Sequence, residues 1–467
     1  MVFSSVVFLY IFLPIMLLLY FIVPSKYKNA IMILASLVFF AWGEIKYILI
    51  MLLLAVMDFW CGNKIEQNED RGKRKLYLTI DVGVNLLILF FFKYADFIIA
   101  NINAITGFNI PLLNIPLPIG VSFNTFQSLS YIIDVYKRTV KCEKSFYNYL
   151  TYTTLFPQII AGPIVRYEEV DDTLETKNIS KDNFTLGMKR FILGLAKKVL
   201  IANNVGMLFN VIQNNMYNEM SSLLAVIGIV AFALQIYFDF SGYSDMAIGL
   251  AKIFGMDFDE NFRYPYISRS ITEFFRRWHI TLSRWFKDYI YIPLGGNRKG
   301  IVKQLRNILV VWFLTGMWHG ASWNFIVWGL FFGVILVMEK LFMLKVLEKL
   351  PNVFKHIYTL FLVLISWAIF AFDDLNLGVE CVKNMLTIGN VPIVNSEALY
   401  YLKNYAILFI IGAIFSTPLP YKLFSKLENS NKKFTQVLVC LVYIGLFILS
   451  TALLVSDTYN PFLYFRF

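Results

Sequence analysis

The stretch Thr315-Gly-Met-Trp-His-Gly-Ala-Ser-Trp-Asn324 sets a histidine in uncharged, apolar surroundings, and His319 is one of only three histidines, with His279 and His356. A neutral imidazole can take the proton of a hydroxyl as that oxygen attacks a thioester or ester carbonyl. Gly316 and Gly320 leave room for a second backbone or a substrate, Trp318 and Trp323 flank the ring, and Asn324 adds a polar group in the same stretch. The competing reading is a histidine held by a buried hydrogen bond and doing no chemistry. The chain carries neither a serine elbow nor a recognisable acidic triad partner, so direct general-base transfer fits better than an acyl-serine route.

Three further apolar stretches carry polar groups, which at membrane depth are costly and mark either a site or a hydrogen-bond network. Pro118–Gln127 brings Ser122, Asn124, Thr125 and Gln127, residues that also serve as glue between helices. Leu155–Arg166 brings Gln158 and Arg166, which line a cavity or, for Arg166, reach the interface. Gln235–Asp245 brings two carboxylates into a strongly apolar helix. Gln235, Asp239 and Tyr243 share a face by i, i+4 spacing, whereas Asp245 points elsewhere. The two are therefore not expected to act together as acid and base. Asp239 or Asp245 is instead expected to pair with an arginine from the 263–284 run, because a lone buried carboxylate takes up a proton; direct catalysis by one of them is the competing reading. The four cysteines, Cys61, Cys142, Cys381 and Cys440, lack C-x-x-C spacing, so neither a metal site nor a disulfide framework is expected.

The elements that must hold these residues are written in the composition. Of 467 residues 58% are hydrophobic and 16% charged, against about a quarter charged in soluble domains. The chain reads as an all-α, polytopic membrane protein and a single membrane domain over residues 1–467, with the chemistry-bearing core at 117–340. Met1–Val23 is an uncharged run long enough to be a retained spanning helix. Further candidate spans fall at 29–43, 47–60, 76–97, 117–135, 187–213, 221–254, 306–320, 322–343, 356–373, 404–418 and 434–455. The net charge of +11 is absorbed by cytoplasmic loops, not by nucleic acid. Basic clusters at 26–28, 64–75, 137–144 and 263–306 then face the cytoplasm and put the N-terminus outside. That arrangement makes 147–166, broken by Pro157, Gly162 and Pro163, enter and leave by one face, and such broken backbone survives only against protein or a wet cavity.

The run Phe274-Phe-Arg-Arg-Trp-His-Ile-Thr-Leu-Ser-Arg-Trp-Phe-Lys-Asp-Tyr-Ile-Tyr-Ile-Pro-Leu-Gly-Gly-Asn-Arg298, followed by Met317-Trp-His-Gly320, resembles the signature of the membrane-bound O-acyltransferases, and within them the bacterial alginate O-acetylation branch. Pro118–Lys137, Pro157–Tyr167, Tyr237–Ala251 and the ending Asn460–Phe467 resemble it too, so the likeness covers most of the chain. It implies an irregular ring of about 11–12 transmembrane helices with re-entrant segments around a central tunnel, a length the chain can supply. It also implies His319 as the catalytic residue, His279 as the second polar position, and Trp318, Asn324, Arg276, Arg277, Gln158, Asn124, Gln127, Asp239 and Asp245 as substrate or tunnel residues. The guanidinium groups of Arg276 and Arg277 suit an anionic donor such as acetyl-CoA; no bound cofactor is expected. The implied reaction carries an acetyl group across a bacterial cytoplasmic membrane toward a secreted or cell-wall polysaccharide, with an extracytoplasmic SGNH-like acetyltransferase as partner. In that branch the segment matching Trp367–Asp373 commonly has an arginine where Ala371 stands, which bears on partner docking. Two alternatives are D-alanyl transfer toward teichoic acid, served by the same histidine, and solute transport, for which broken helices speak but no inverted repeat is visible.

Overall fold

The computed structural model describes residues 1–118, 120–159, 162–177, 179–214, 220–456 and 459–463, and for Glu44 the backbone only. Parts of three sequence motifs, Ile119, Ile160–Ala161 and Tyr464–Phe467, lie outside the described residues. Among those described every regular element is helical. Eight helices among the described residues are long and apolar enough to cross a membrane: Ile45–Gln67, Arg71–Thr106, Lys181–Asn214, Ser222–Ile253, Trp323–Lys349, Asn352–Ala371, Ser396–Phe415 and Lys433–Ser456. The remaining sequence candidates are shorter or more polar. Met1–Val23 becomes the short apolar helix Phe8–Ile22, and the candidates at 117–135 and 306–320 become Val121–Lys137 and Ile301–His319.

The chain divides into two compact units, residues 1–191 with 244–259, and 192–243 with 260–467. In the first unit an aromatic knot of Phe3, Phe8, Phe12, Phe39 and Phe156 forms the apolar centre. Gly187 and Gly249 bring two helices into backbone contact: a Cβ on either would lie 2.5 or 2.6 Å from the other's carbonyl oxygen. The expected break in 147–166 is present, as two short helices, Phe146–Thr154 and Phe156–Ile159, followed by irregular chain.

In the second unit the helices Ile301–His319 and Trp323–Met338 form a tight hairpin. Small residues make it possible, since a Cβ on Gly316 would sit 2.5 Å from the Phe325 carbonyl oxygen, and one on Gly329 2.4 Å from that of Trp312. The Glu339 carboxylate accepts the Ile271 and Thr272 backbone N–H groups at 2.7 and 2.8 Å and the Thr272 hydroxyl at 2.6 Å. Those bonds satisfy the first N–H groups of the short helix Ile271–Phe275 and fix the turn that carries Trp278 and His279. Ser396–Phe415 and Lys433–Ser456 keep only 11% and 17% of their apolar windows buried within the protein, the pattern of lipid-facing helices.

Candidate functional site

The Ile301–His319 helix stops at Gly320, whose extended backbone leaves no room for a side chain: a Cβ there would lie 2.3 Å from the Phe325 ring. The helix end therefore delivers His319 into an aromatic cage. Trp328 and Phe370 present edges to the imidazole at 4.9 and 5.4 Å between centroids, and Trp318 packs at 5.0 Å. His319 is buried, but it lines an enclosed space of about 20 Å³, room for about one water. The other walls are Ile236, Asp239 and Phe240 from one helix face, Trp278 from the turn, Trp328, Trp367 and Phe370, and Leu463 close to the chain's end. The imidazole thus has water-sized space beside it and mostly apolar walls around it.

His279 lies behind this cavity. It adopts a left-handed backbone (φ 45°), its Nδ1 is 3.1 Å from Asn261 Oδ1, and its ring packs 4.7 Å from Phe240 and 5.9 Å from Trp318. Burial holds its imidazole far below the usual range, at about 3, so it is a neutral group at physiological pH. Phe240 and Trp318 thus stand between the two histidines, each packed against His279 and part of the surroundings of the cavity. Asn324 is fully buried and donates from Nδ2 to the Phe370 carbonyl at 3.4 Å, bracing a wall residue.

The carboxylates find partners other than those expected. Asp239 pairs with Lys198 (2.7 Å), both nearly inaccessible, and Asp245 with Arg190 (2.8 Å). The arginines of the 263–284 run are spent elsewhere or exposed. Arg277 pairs with Glu273 at 2.9 Å and donates to the Arg263 carbonyl, while Arg276 is exposed; neither lines the cavity. Gln158, Asn124 and Gln127 belong to the first unit. Gln158 Nε2 donates to the Tyr152 carbonyl at 2.5 Å, Asn124 lines a separate small cavity with Gly120 and Ile159, and the Gln127 carbonyl accepts the Ser130 hydroxyl. Arg166 pairs with Glu168 and Glu169. His356 bonds the Ser268 carbonyl at 3.0 Å. Of the nine cavity residues only His319 and Asp239 were singled out from the sequence as site residues; the i, i+3, i+4 spacing of Ile236, Asp239 and Phe240 is the one local signal that could have grouped further wall residues. No group of three or more metal-ligating side chains occurs among the described residues.

Residues 142–379 match the membrane-bound O-acyltransferase family. Over 490 aligned positions, covering the whole of both proteins, the chain is 37% identical to a probable alginate O-acetylase of Pseudomonas putida. It is 33% identical to the peptidoglycan O-acetyltransferase of Helicobacter pylori over 84% of this chain and 81% of that one. Identity to the teichoic acid D-alanyltransferase of Bacillus subtilis is 30%, over 48% of this chain and 59% of the relative.

Proposed function

This chain belongs to the membrane-bound O-acyltransferase family, a multi-pass membrane enzyme, and we propose that it moves an acetyl group from a cytoplasmic thioester donor, acetyl-CoA, to a hydroxyl bound for a cell-surface polysaccharide, with His319 as general base. The observation that carries this reading is the His319 imidazole at the wall of a secluded aromatic cavity, in a chain similar from end to end to a polysaccharide O-acetylase. His319 takes the proton of the acceptor hydroxyl as its oxygen attacks the thioester carbonyl. The tetrahedral species then collapses, the C–S bond breaks, and the imidazolium returns the proton to the departing thiolate. The products are an O-acetyl ester and free thiol, with no net change at the histidine. Acetyl is favoured over D-alanyl transfer because the likeness to acetylases spans the whole chain, whereas that to a D-alanyltransferase spans about half.

The arginine-rich 276–298 segment faces the cytoplasm in this reading, on the charge rule that keeps basic loops inside. The connection between Asn352–Ala371 and Ser396–Phe415, which holds one short helix, Leu375–Met385, is too short to form a domain that holds a long glycan, so in this reading an extracytoplasmic SGNH-like acetyltransferase receives or uses the acetyl group. The test is the purified protein in liposomes, donor inside and acceptor glycan outside, with and without a partner. Product that requires both His319 and the partner supports the scheme. Efficient glycan acetylation by His319→Gln protein at normal membrane level overturns the histidine assignment, and glycan acetylation without any partner overturns the two-component scheme.

A further inference from the structure

Lys198 and Asp239 are 2% and 3% exposed in their side chains and sit on two long apolar helices. A buried ion pair is often no more stabilising than apolar side chains of the same size, which directs attention to what else the pair holds. The hydrogen bonds show what else it touches. The Lys198 ammonium has three donors and three acceptors: Asp239 Oδ1 at 2.7 Å, Asn203 Oδ1 at 2.8 Å, and the Pro461 carbonyl oxygen. The second oxygen of Asp239 accepts the Leu463 backbone N–H at 2.9 Å.

The ammonium thus grips the Pro461 carbonyl and the carboxylate the Leu463 N–H, two backbone groups two residues apart. The contact is to backbone, which suits Pro461, since only its carbonyl is used. Side chains complete the seat: Asn203 Nδ2 donates to Asn460 Oδ1 at 3.3 Å, Asn210 Nδ2 to the Tyr459 hydroxyl at 2.9 Å, and Phe462 lies 4.5 Å from Tyr243 between ring centroids. The gripped segment ends at the reacting centre, because Leu463 and Asp239 are both walls of the His319 cavity.

We propose that Lys198 and Asp239 are positioning residues, a charged socket for the chain's own segment Asn460–Leu463 that sets one wall of the His319 cavity. For its effect on transfer this rests on the acyltransferase reading above; the docking of the segment does not. The first arm of the test measures docking alone. In a Cys440→Ser background, which removes the exposed cysteine, Phe462→Cys places a buried reporter thiol that is probed with maleimide. Lys198→Met with Asp239→Leu removes both charges together and keeps the site apolar, so the fold is retained, as melting in detergent verifies. The expected result is rapid labelling of the reporter thiol only when the socket is removed. The second arm compares Leu463→Pro, which deletes the gripped N–H, with Leu463→Ala, which keeps it and trims the side chain. Leu463→Pro is expected to lower acetyl transfer roughly 10²-fold, the scale of a misplaced reacting wall, and Leu463→Ala far less. A reporter thiol that stays protected without the socket overturns the proposal, as does Leu463→Pro transferring as well as Leu463→Ala. Absence of transfer in the unaltered protein with socket-dependent labelling intact would instead count against the acyltransferase reading.

Discussion

Two buried polar clusters lie among the helices of this protein, and they differ in what surrounds them. In the first unit Asp58 is inaccessible and its carboxylate is saturated: Oδ1 accepts Asn85 Nδ2 at 2.9 Å, and Oδ2 accepts the Ser128 hydroxyl at 2.6 Å and the Tyr149 hydroxyl at 3.1 Å. Residues from four helices are thereby tied together. In the second unit His319 is ringed by aromatic edges and borders open space. Polarity at membrane depth does not by itself separate a fastening from a reaction centre. What sets the His319 cluster apart is the aromatic ring around an imidazole that borders a small cavity.

That contrast predicts losses of different kind. Replacing His319 by Ala or Gln should lower acyl transfer by roughly 10²–10⁴-fold, the scale of a lost general base, while melting of the detergent-solubilised protein hardly moves. Replacing Asp58 by Ala should do the reverse. It strands the Ser128 and Tyr149 hydroxyls in a dry site, while Asn85 keeps its bonds to Asp81, a cost of about 3 kcal/mol, seen as a lower melting temperature and less protein in the membrane, with turnover per folded molecule retained. A catalytic collapse from Asp58→Ala at normal stability would erase the distinction.

His279 stands between these extremes and is separated from both by pH. Its pKa is depressed in the folded protein, so the unfolded chain binds more protons below about pH 6.5, and stability falls as pH is lowered toward 3. From pH 6.5 to 5 the loss from this group is roughly 2 kcal/mol. His279→Asn should flatten that slope, measured as melting temperature against pH in detergent. An unchanged slope would show that the buried imidazole is not the group that titrates.

How far the sequence anticipated this depends on whether a residue's partner is local. The helical membrane class, the break within 147–166 and the Trp-His-Gly stretch were readable because composition, proline and glycine act where they stand. A cationic partner was expected for Asp239 or Asp245, but not Lys198 and Arg190, which lie 41 and 55 positions away along the chain. The arginine run looked like the obvious reservoir, yet Arg277 is taken by Glu273 one helical turn before it. That Trp278, Trp367 and Phe370 meet at a cavity was hidden for another reason, although all three lie in segments the sequence reading had marked. Among 81 aromatic residues, 45 Phe, 27 Tyr and 9 Trp, nothing in the one-dimensional pattern marks the few that meet at a cavity.

The two carboxylates six residues apart on Ser222–Ile253 give the finest version of the comparison. Asp239 is closed off with Lys198, whereas Asp245 and Arg190 keep 16% and 30% of their side chains exposed. Arg190 reaches Asp245 Oδ1 with two nitrogens, at 3.1 and 2.8 Å, close to the contact of Gly187 with Gly249 that already joins these helices. A partly exposed pair beside such a contact is worth about 1 kcal/mol or less, and Asp245 does not line the His319 cavity. Asp245→Asn should therefore shift melting by a small amount and leave acyl transfer close to that of the unaltered protein when both are measured in the same liposomes. If Asp245→Asn instead removed transfer while melting stayed normal, the exposed carboxylate would be the functional one, and the division between fastening and reaction centre would have to be redrawn along this helix.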